Sequence, residues 1–461
     1  MSDIPFGFSN AGDDPDRDGA GKSNDRAGSN DPFGFAAGGF DPAALGQMLT
    51  QFGQMLSNMG SSVASGGSGA GPVNYDVAKQ LARQAIGTAA PVTASKTQAI
   101  ADAAHLAEVW LDGATALPAG ATKTVAWTPS EWIDATMDTW KRLCDPVAQQ
   151  ISGMWSASLP PEAQQLAGPM IGMLGQMGGL AFGSQLGQGL GQLAKDVLTS
   201  TDIGLPLGPA GTAALMPAAI ASFSEGLEQP EQEILVFIAA REAAHQRLFA
   251  HVPWLRQRVL GTVEEYARGI KMDFSAIEQA TSGIDPSALL DPSKLEEILS
   301  NGAFEPQTTP EQKAALERLE TLIALIEGWV ETVVAAAVGD RLPGAAALSE
   351  TLRRRRATGG PAEQTFATLV GLEVRPRKLR EAATLWRSLT DQAGSDRRDD
   401  VWAHPDLLPD ASDLDNPIGF VERFLHGDSS DFDDPIAQIE KAEARERSEK
   451  DEPEKGDGEK A

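Results

Sequence analysis

The sequence predicts a mainly α-helical protein with at most a small β element and with disordered ends. Three observations lead to this prediction. Apolar residues recur at three-to-four spacing through most of the stretch from 73 to 426, which is typical of amphipathic helices. Only two short runs, one before Pro129 and one within 202–217, favour a strand. Both ends of the chain are polar and offer too little apolar surface to offset the entropy of ordering.

The net charge and the cysteine content of the chain exclude several classes of function. The 461 residues carry a formal net charge of -27, so we expect no nucleic-acid partner, because phosphate attraction needs a basic surface. The single cysteine, Cys144, excludes an intramolecular disulfide framework and a site of clustered thiolates. No basic segment followed by an apolar run opens the chain, and we therefore expect a cytoplasmic protein.

The chain divides by composition into five segments. Asp41-Pro42 supplies an N-cap and a first helical position, which predicts an isolated amphipathic helix after the first tail. The first tail contains the phrase PFGF twice, either as a docking motif for a partner or as an accidental likeness. The segments are a disordered acidic tail at 1–40, the helix at 41–60, a Gly/Ser linker at 61–72, a helical domain at 73–426 and a mixed-charge acidic tail at 427–461.

Glycine repeats every fourth residue from Gly175 to Gly191, within a stretch that has no charged side chain. Such a ridge of small residues lets another helix approach closely, in water or in a membrane. Several glutamines interrupt the stretch and are costly in lipid, so we expect no membrane span here. A helix buried in the centre of the domain is the expected use.

The stretch 234–249 joins a predicted helix to residues capable of chemistry. Arg241, Glu242 and His245 occupy the frame of the zincin motif H-E-x-x-H, with Arg241 at the position of the first His. In that motif two His at i and i+4 hold zinc, and the Glu between them activates the bound water. Glu242 is thus a candidate general base and His245 a candidate metal ligand. A guanidinium, however, repels a cation.

A third metal ligand has two candidates. His251 lies six residues after His245, but Leu248 stands where the related metalloprotease motif has a turn glycine. Glu327 is the other candidate, because it is set with Glu331 at i and i+4 in a strongly apolar helical stretch. A carboxylate in such a helix needs a partner, which could be the metal or Arg241 itself.

Two further polar segments contain candidate functional residues. Arg353–Arg356 precede a Gly-Gly turn and either bind a phosphate or carboxylate ligand or neutralise neighbouring carboxylates. His404 lies beside Trp402 and Asp406 in a predicted loop, where it could be a ligand, a base or a cap.

Longer phrases carry a resemblance to a known family. They are REAAHQRLFAHVPWLR at Arg241–Arg256, IEGWVE at Ile326–Glu331, the run from Gly359 to Trp386, and VWAHPDLLP at Val401–Pro409. These phrases resemble an actinobacterial family of zincin-like proposed hydrolases related to zinc-dependent metalloproteases. The resemblance covers about residues 73 to 425 and implies a zincin-like helical domain, a zinc cofactor, Glu242 as base and His245 as ligand. It also suggests that the segment 202–217 supplies the edge strand that pairs with an extended substrate.

Two functions therefore remain open. One is a metallohydrolase with a degenerate R-E-x-x-H motif, whose zinc is held by His245 and by Glu327 or His251. The other is a catalytically inactive zincin-like protein that binds a peptide or protein partner, with Arg241 in the cation site and paired with Glu327.

Overall fold

The computed structural model describes residues 71–157, 168–202, 204–269, 309–357 and 378–426. Within these residues helices predominate and two short strands form the sheet, which confirms the predicted fold class. The expectations for the two tails, for the helix at 41–60 and for all but the end of the linker lie outside the described residues. The division of the chain into five segments stays a prediction.

The helices and strands follow one another in a simple order. They are α1 (Tyr75–Ile86), α2 (Ala94–Leu111), β1 (Lys123–Ala126), α3 (Pro129–Ala157), α4 (Gly168–Asp196), β2 (Thr212–Leu215), α5 (Pro217–Ser224), α6 (Glu231–His251), α7 (Leu255–Arg268), α8 (Pro310–Val338), α9 (Ala345–Ala357), α10 (Leu379–Asp399), α11 (Ala411–Asp415) and α12 (Pro417–His426). Two short 3₁₀ helices, Asp400–Ala403 and Pro405–Leu407, connect α10 to α11.

Two helices, α6 and α8, form the centre of the structure. Helix α8 packs against α6, α7 and α10, and α6 packs against α2 and β2. Local sequence explains where α8 begins, because Thr309 and Gln312 form a capping box and Pro310 occupies the first turn. Both helices are buried along most of their length, so any polar side chain that they carry toward each other needs a partner inside the protein.

One described helix, α8, is long and apolar enough to cross a membrane. However, 78% of its most apolar window is buried inside the protein, as in the core helix of many folded domains.

The sheet corrects one expectation about substrate binding. Strands β1 and β2 pair in parallel, with Lys123 opposite Thr212 and Ala126 opposite Leu215. The other side of β2 is also occupied, since the Ser200 amide donates to the Ala214 carbonyl at 3.0 Å. The segment 202–217 does contain a short strand, but it is an internal one. It offers no free edge to a substrate, because its backbone groups already pair on both sides.

The glycine repeat is a helix-packing surface. It lies on α4 and packs against α1. A Cβ built on Gly183 would lie 2.4 Å from the carbonyl oxygen of Asn74, and one built on Gly187 would lie 2.5 Å from that of Ala78. The expected close approach of a second helix is therefore confirmed. The central position expected for this helix is wrong, since Gln176, Gln188 and Gln192 are exposed.

We expect Gly183→Ala to lower the free energy of unfolding by about 1–3 kcal/mol, because the added methyl overlaps the Asn74 carbonyl and separates α1 from α4. The matched control is Gly178→Ala on the same helix, where an added Cβ meets no atom within 4 Å. This control should be neutral or stabilising by up to about 1 kcal/mol, since alanine favours helix over glycine. Urea denaturation measures both, and equal effects would contradict the packing role of the ridge.

Candidate functional site

Helix α6 brings Arg241, Glu242 and His245 into the core, together with Gln246 and Arg247. Arg241 and His245 lie one turn apart and face α8, whereas Glu242 points to the segment that precedes β2. All five are at least largely buried. The predicted helix is confirmed and runs from Glu231 to His251.

Glu327 of α8 is the centre of the cluster. Its Oε2 accepts a hydrogen bond from Nη2 of Arg241 at 2.6 Å, and its Oε1 lies 3.0 Å from Nε2 of His245. The ion pair that the sequence allowed between Arg241 and Glu327 is therefore present. Only 2% of the Glu327 side chain is exposed, so this carboxylate depends on protein groups for its stabilisation.

The orientation of His245 is set from both sides of its ring. Nδ1 lies 2.8 Å from the backbone carbonyl oxygen of Arg241, and Nε2 faces Glu327. Both partners of the ring nitrogens are hydrogen-bond acceptors. The carbonyl contact holds the ring with Nε2 directed at the carboxylate.

A second arginine, Arg356, reaches the same carboxylate. It lies at the end of α9, and its guanidinium contacts Oε2 of Glu327 and the backbone carbonyl of Asp202. The sequence did not single out Arg356 as a residue of this cluster. The run Arg353–Arg356 was the available signal. The structure places Arg353, Arg355 and Arg356 against carboxylates of neighbouring segments and Arg354 against Glu350 of its own helix, as expected if the run neutralises carboxylates.

Charge and burial act in opposite directions on this cluster. Burial by itself raises the pKa of Glu327, but Arg356, His245 and Arg241 together hold that pKa well below its ordinary value. Burial also lowers the pKa of Arg241, against the opposing attraction of Glu327. The carboxylate is therefore ionised, and the surrounding cations are what make its burial possible.

Glu242 is held on the other side of α6. Ser200 Oγ donates to its Oε1 at 2.5 Å, and Thr201 Oγ1 donates to its Oε2 at 2.6 Å. Gln246 adds a third hydrogen bond at 2.9 Å. The general-base role of Glu242 stays a prediction, but in this arrangement both of its oxygens are occupied and buried.

His251 is not brought to the cluster, which corrects the proposal that it joins His245 on a metal. Helix α6 continues without a break through Leu248. Because His251 lies six residues after His245, its side chain is about 240° round the helix axis from that of His245. His251 is exposed, and its Nε2 lies 3.2 Å from the carbonyl oxygen of Ala119. The absence of a turn glycine at Leu248 is the physical reason.

The remaining candidates have local partners. Glu331, one turn after Glu327 on α8, pairs with Arg353 at 3.2 Å. His404 is exposed and its Nδ1 accepts from the Asp406 amide at 3.2 Å, so it caps a short 3₁₀ helix. Of the three roles considered for His404, the structure shows the cap.

A small cavity borders the cluster, with room for about one water molecule. Two arginines and a histidine line it together with one hydroxyl residue, one aspartate and two apolar residues. The lining residues are Thr199, Asp202, Ile238, Arg241, His245, Leu352 and Arg356. Glu242 is not among them, because it points to the opposite side of α6.

The donor set does not fit a zinc ion. Zinc sites use at least three protein ligands of the His, Cys, Asp or Glu type. Within the described ranges, no three such side chains are placed to hold one ion, and His245 with Glu327 supplies two donors. Two guanidinium groups bond the carboxylate that would have to bind the metal, and their positive charge opposes a second cation.

These features define a mainly helical protein in which a buried Arg–Glu ion pair joins the two central helices. The family model described as "Zincin-like metallopeptidase" matches residues 73–421, and the chain belongs to this family. It is also similar in fold to a solved structure from Chloroflexus aurantiacus, a proposed hydrolase with a novel fold. That similarity has a TM-score of 0.56 at 19% identity, and it covers 77% of this chain and 99% of the other. No curated protein matches the chain.

Proposed function

We propose that this member of the zincin-like metallopeptidase family is a catalytically silent scaffold that binds extended peptide or protein segments. The observation that carries the proposal is the 2.6 Å ion pair between Arg241 and Glu327. It puts a fixed protein cation where the motif would hold zinc. A guanidinium remains charged and forms the bond without a metal.

The chemistry of the cluster supports loss of hydrolysis. A zinc hydrolase needs an open coordination position for water and a base beside it. Here the carboxylate of Glu327 is saturated by donors, and Glu242 bonds to Ser200 and Thr201. Neither carboxylate is available to a water molecule at the cavity.

Strand β1 supports binding of an extended segment. Within the described part of the chain it pairs with β2 alone, so its other edge has no strand partner. Its residues are half-buried or exposed, unlike the fully buried residues of β2. An extended peptide that adds to β1 would gain main-chain hydrogen bonds without any catalytic group.

The second candidate is the metallohydrolase itself. It is favoured by the family to which the chain belongs and by the 3.0 Å approach of His245 to Glu327, two groups that are zinc ligands in other proteins. It requires a cation to displace the two guanidinium groups from Glu327.

Metal content separates the two candidates. We expect purified protein equilibrated with zinc and then dialysed to retain no stoichiometric metal by mass spectrometry, because the donor set is incomplete and carries guanidinium charges. Peptidase activity on an unfolded protein substrate should equal that of Glu242→Gln. Stoichiometric zinc that is lost in His245→Ala, together with activity that is lost in Glu242→Gln, would support the hydrolase instead.

The binding half of the proposal has its own test. A permanently unfolded, carboxymethylated protein should bind saturably in a fluorescence anisotropy titration. Binding should weaken when Thr124 is replaced by Pro, since proline removes a backbone donor from β1. An absence of saturable binding would contradict a peptide-binding role while leaving the metal result unaffected.

A further inference from the structure

We propose that Arg356 is a second determinant of metal exclusion, so that restoring His at position 241 does not by itself restore a zinc site. The inference rests on the proposed exchange of zinc for arginine and adds a residue to it. Two guanidinium groups, delivered by two different helices, converge on the single carboxylate of Glu327. Both would have to leave before this carboxylate could bind a metal.

The position of Arg356 is fixed by the packing of α9. Leu348 and Leu352 are buried against the body of the protein, and they hold the C-terminal turn of α9 over the cluster. From there Arg356 bonds both Glu327 and the carbonyl of Asp202, and only 14% of its side chain is exposed. The guanidinium thus bridges α8 and the segment before β2, so loss of Arg241 alone does not release it.

Electrostatics make the second arginine as important as the first. Arg241 and Arg356 both contact Oε2 of Glu327, so the second guanidinium lies against the same oxygen atom as the first. A divalent ion bound to Glu327 would lie next to this guanidinium in a buried site, where repulsion between like charges is weakly screened. After Arg241→His, the carboxylate of Glu327 is therefore still paired with the positive charge of Arg356. That charge opposes the binding of a metal ion.

The other parts of a zinc site are already in place. Zinc-binding histidines usually donate their second ring nitrogen to a carbonyl or carboxylate, which orients the first nitrogen at the metal. His245 has this arrangement, with Nδ1 2.8 Å from the backbone carbonyl of residue 241 and Nε2 directed at Glu327. A backbone carbonyl survives substitution of the side chain. A histidine introduced at position 241 would, with His245 and Glu327, complete the two-histidine, one-glutamate set of catalytic zinc sites.

Four variants of the full chain test the proposal, namely Arg241→His alone and Arg241→His combined with Arg356→Gln, Arg356→Lys or Arg354→Gln. Arg354 is the matched control, because it lies on the same helix with 77% of its side chain exposed and pairs with Glu350. Zinc content is measured after dialysis, and the zinc-dependent shift in melting temperature is measured beside it. Of these four variants, we expect about one zinc per chain and a raised melting temperature only where Arg241→His is combined with Arg356→Gln.

Each result separates this inference from the proposed function. Stoichiometric zinc in Arg241→His alone would overturn the role of Arg356 and leave the exchange of zinc for Arg241 intact. Zinc in the unsubstituted protein would overturn both. Equal zinc in the combinations with Arg356→Lys and with Arg356→Gln would show that the charge of Arg356 does not matter, and so would overturn the inference.

Circular dichroism checks that each variant is folded. A further combination, Arg241→His with Arg356→Met, serves as a second control because methionine keeps a long side chain without charge. If the combination with Arg356→Gln or with Arg356→Met refolds only when zinc is added, the proposal is supported, since the metal then contributes folding energy. If both combinations stay unfolded or zinc-free in the presence of zinc, removal of Arg356 does not open the site and the inference is wrong.

Discussion

Replacing Glu327 by Gln is expected to destabilise the protein by about 3–5 kcal/mol, because it removes the shared counter-ion of buried cationic groups. Arg241 and Arg356 would each keep a buried guanidinium, and a neutral amide with one oxygen would replace the two carboxylate oxygens that they share with His245. Urea denaturation followed by circular dichroism measures the loss.

The control for this result is Glu331→Gln, one helical turn further along α8. The Glu331 side chain is 20% exposed and pairs with the partly exposed Arg353. We expect a loss of about 1 kcal/mol or less, because solvent screens such a pair. Similar losses for both variants would mean that Glu327 is no more than an ordinary ion-pair partner.

The same cluster predicts a pH dependence. The pKa of Glu327 lies well below its ordinary value in the folded protein. Its contribution to stability is therefore complete above the unfolded pKa of about 4.3 and is lost as the pH falls through the lower folded value. The difference in unfolding free energy between the unsubstituted protein and Glu327→Gln should accordingly shrink in acid. A difference that stays constant across this acidic range would contradict the depressed pKa.

Asp399→Ala is expected to have a comparable effect, about 3–5 kcal/mol, because it removes the counter-ion of the buried Arg398. The carboxylate of Asp399 accepts from Trp329 at 2.8 Å, from Thr115 at 2.6 Å and from the Ala116 amide at 2.8 Å. It also pairs with Arg398, whose side chain is fully buried. One carboxylate thus ties α10 to α8 and to the loop after α2.

Asp400→Ala is the matched control, since its side chain is 58% exposed and its contact with Arg397 is 3.4 Å long. We expect a change of about 0.5 kcal/mol or less, in line with exposed ion pairs. Thermal unfolding followed by calorimetry compares the two variants. A loss for Asp399→Ala no greater than that for Asp400→Ala would contradict the structural role of Asp399.

Helical spacing was enough to predict the core of the candidate site. Arg241 and His245 had to share a face of one helix because they are one turn apart, and the apolar context of Glu327 required a partner for its carboxylate. The sequence left metal and arginine open as that partner, and the structure shows the ion pair with Arg241. Local sequence sufficed for the shared helix face and for the need of a partner, whereas the identity of that partner depends on how α6 and α8 pack.

Partners that come from distant segments were not predictable. Nothing in the run Arg353–Arg356 distinguishes the arginine that reaches Glu327 from the exposed Arg354. Nothing in the local sequence indicated that the hydroxyl groups of Ser200 and Thr201 would donate hydrogen bonds to the carboxylate of Glu242. Such contacts depend on how helices dock, which periodicity does not specify.

The sequence by itself determined the helical class, the presence of a helix through 234–249 and the spacing that sets Arg241 and His245 one turn apart on it. Only the tertiary structure decided that His251 lies away from the cluster, that β2 is internal, and that two guanidinium groups neutralise one carboxylate. The physical reason is that backbone periodicity follows from neighbouring residues, whereas the neutralisation of a buried charge depends on groups brought together from several helices.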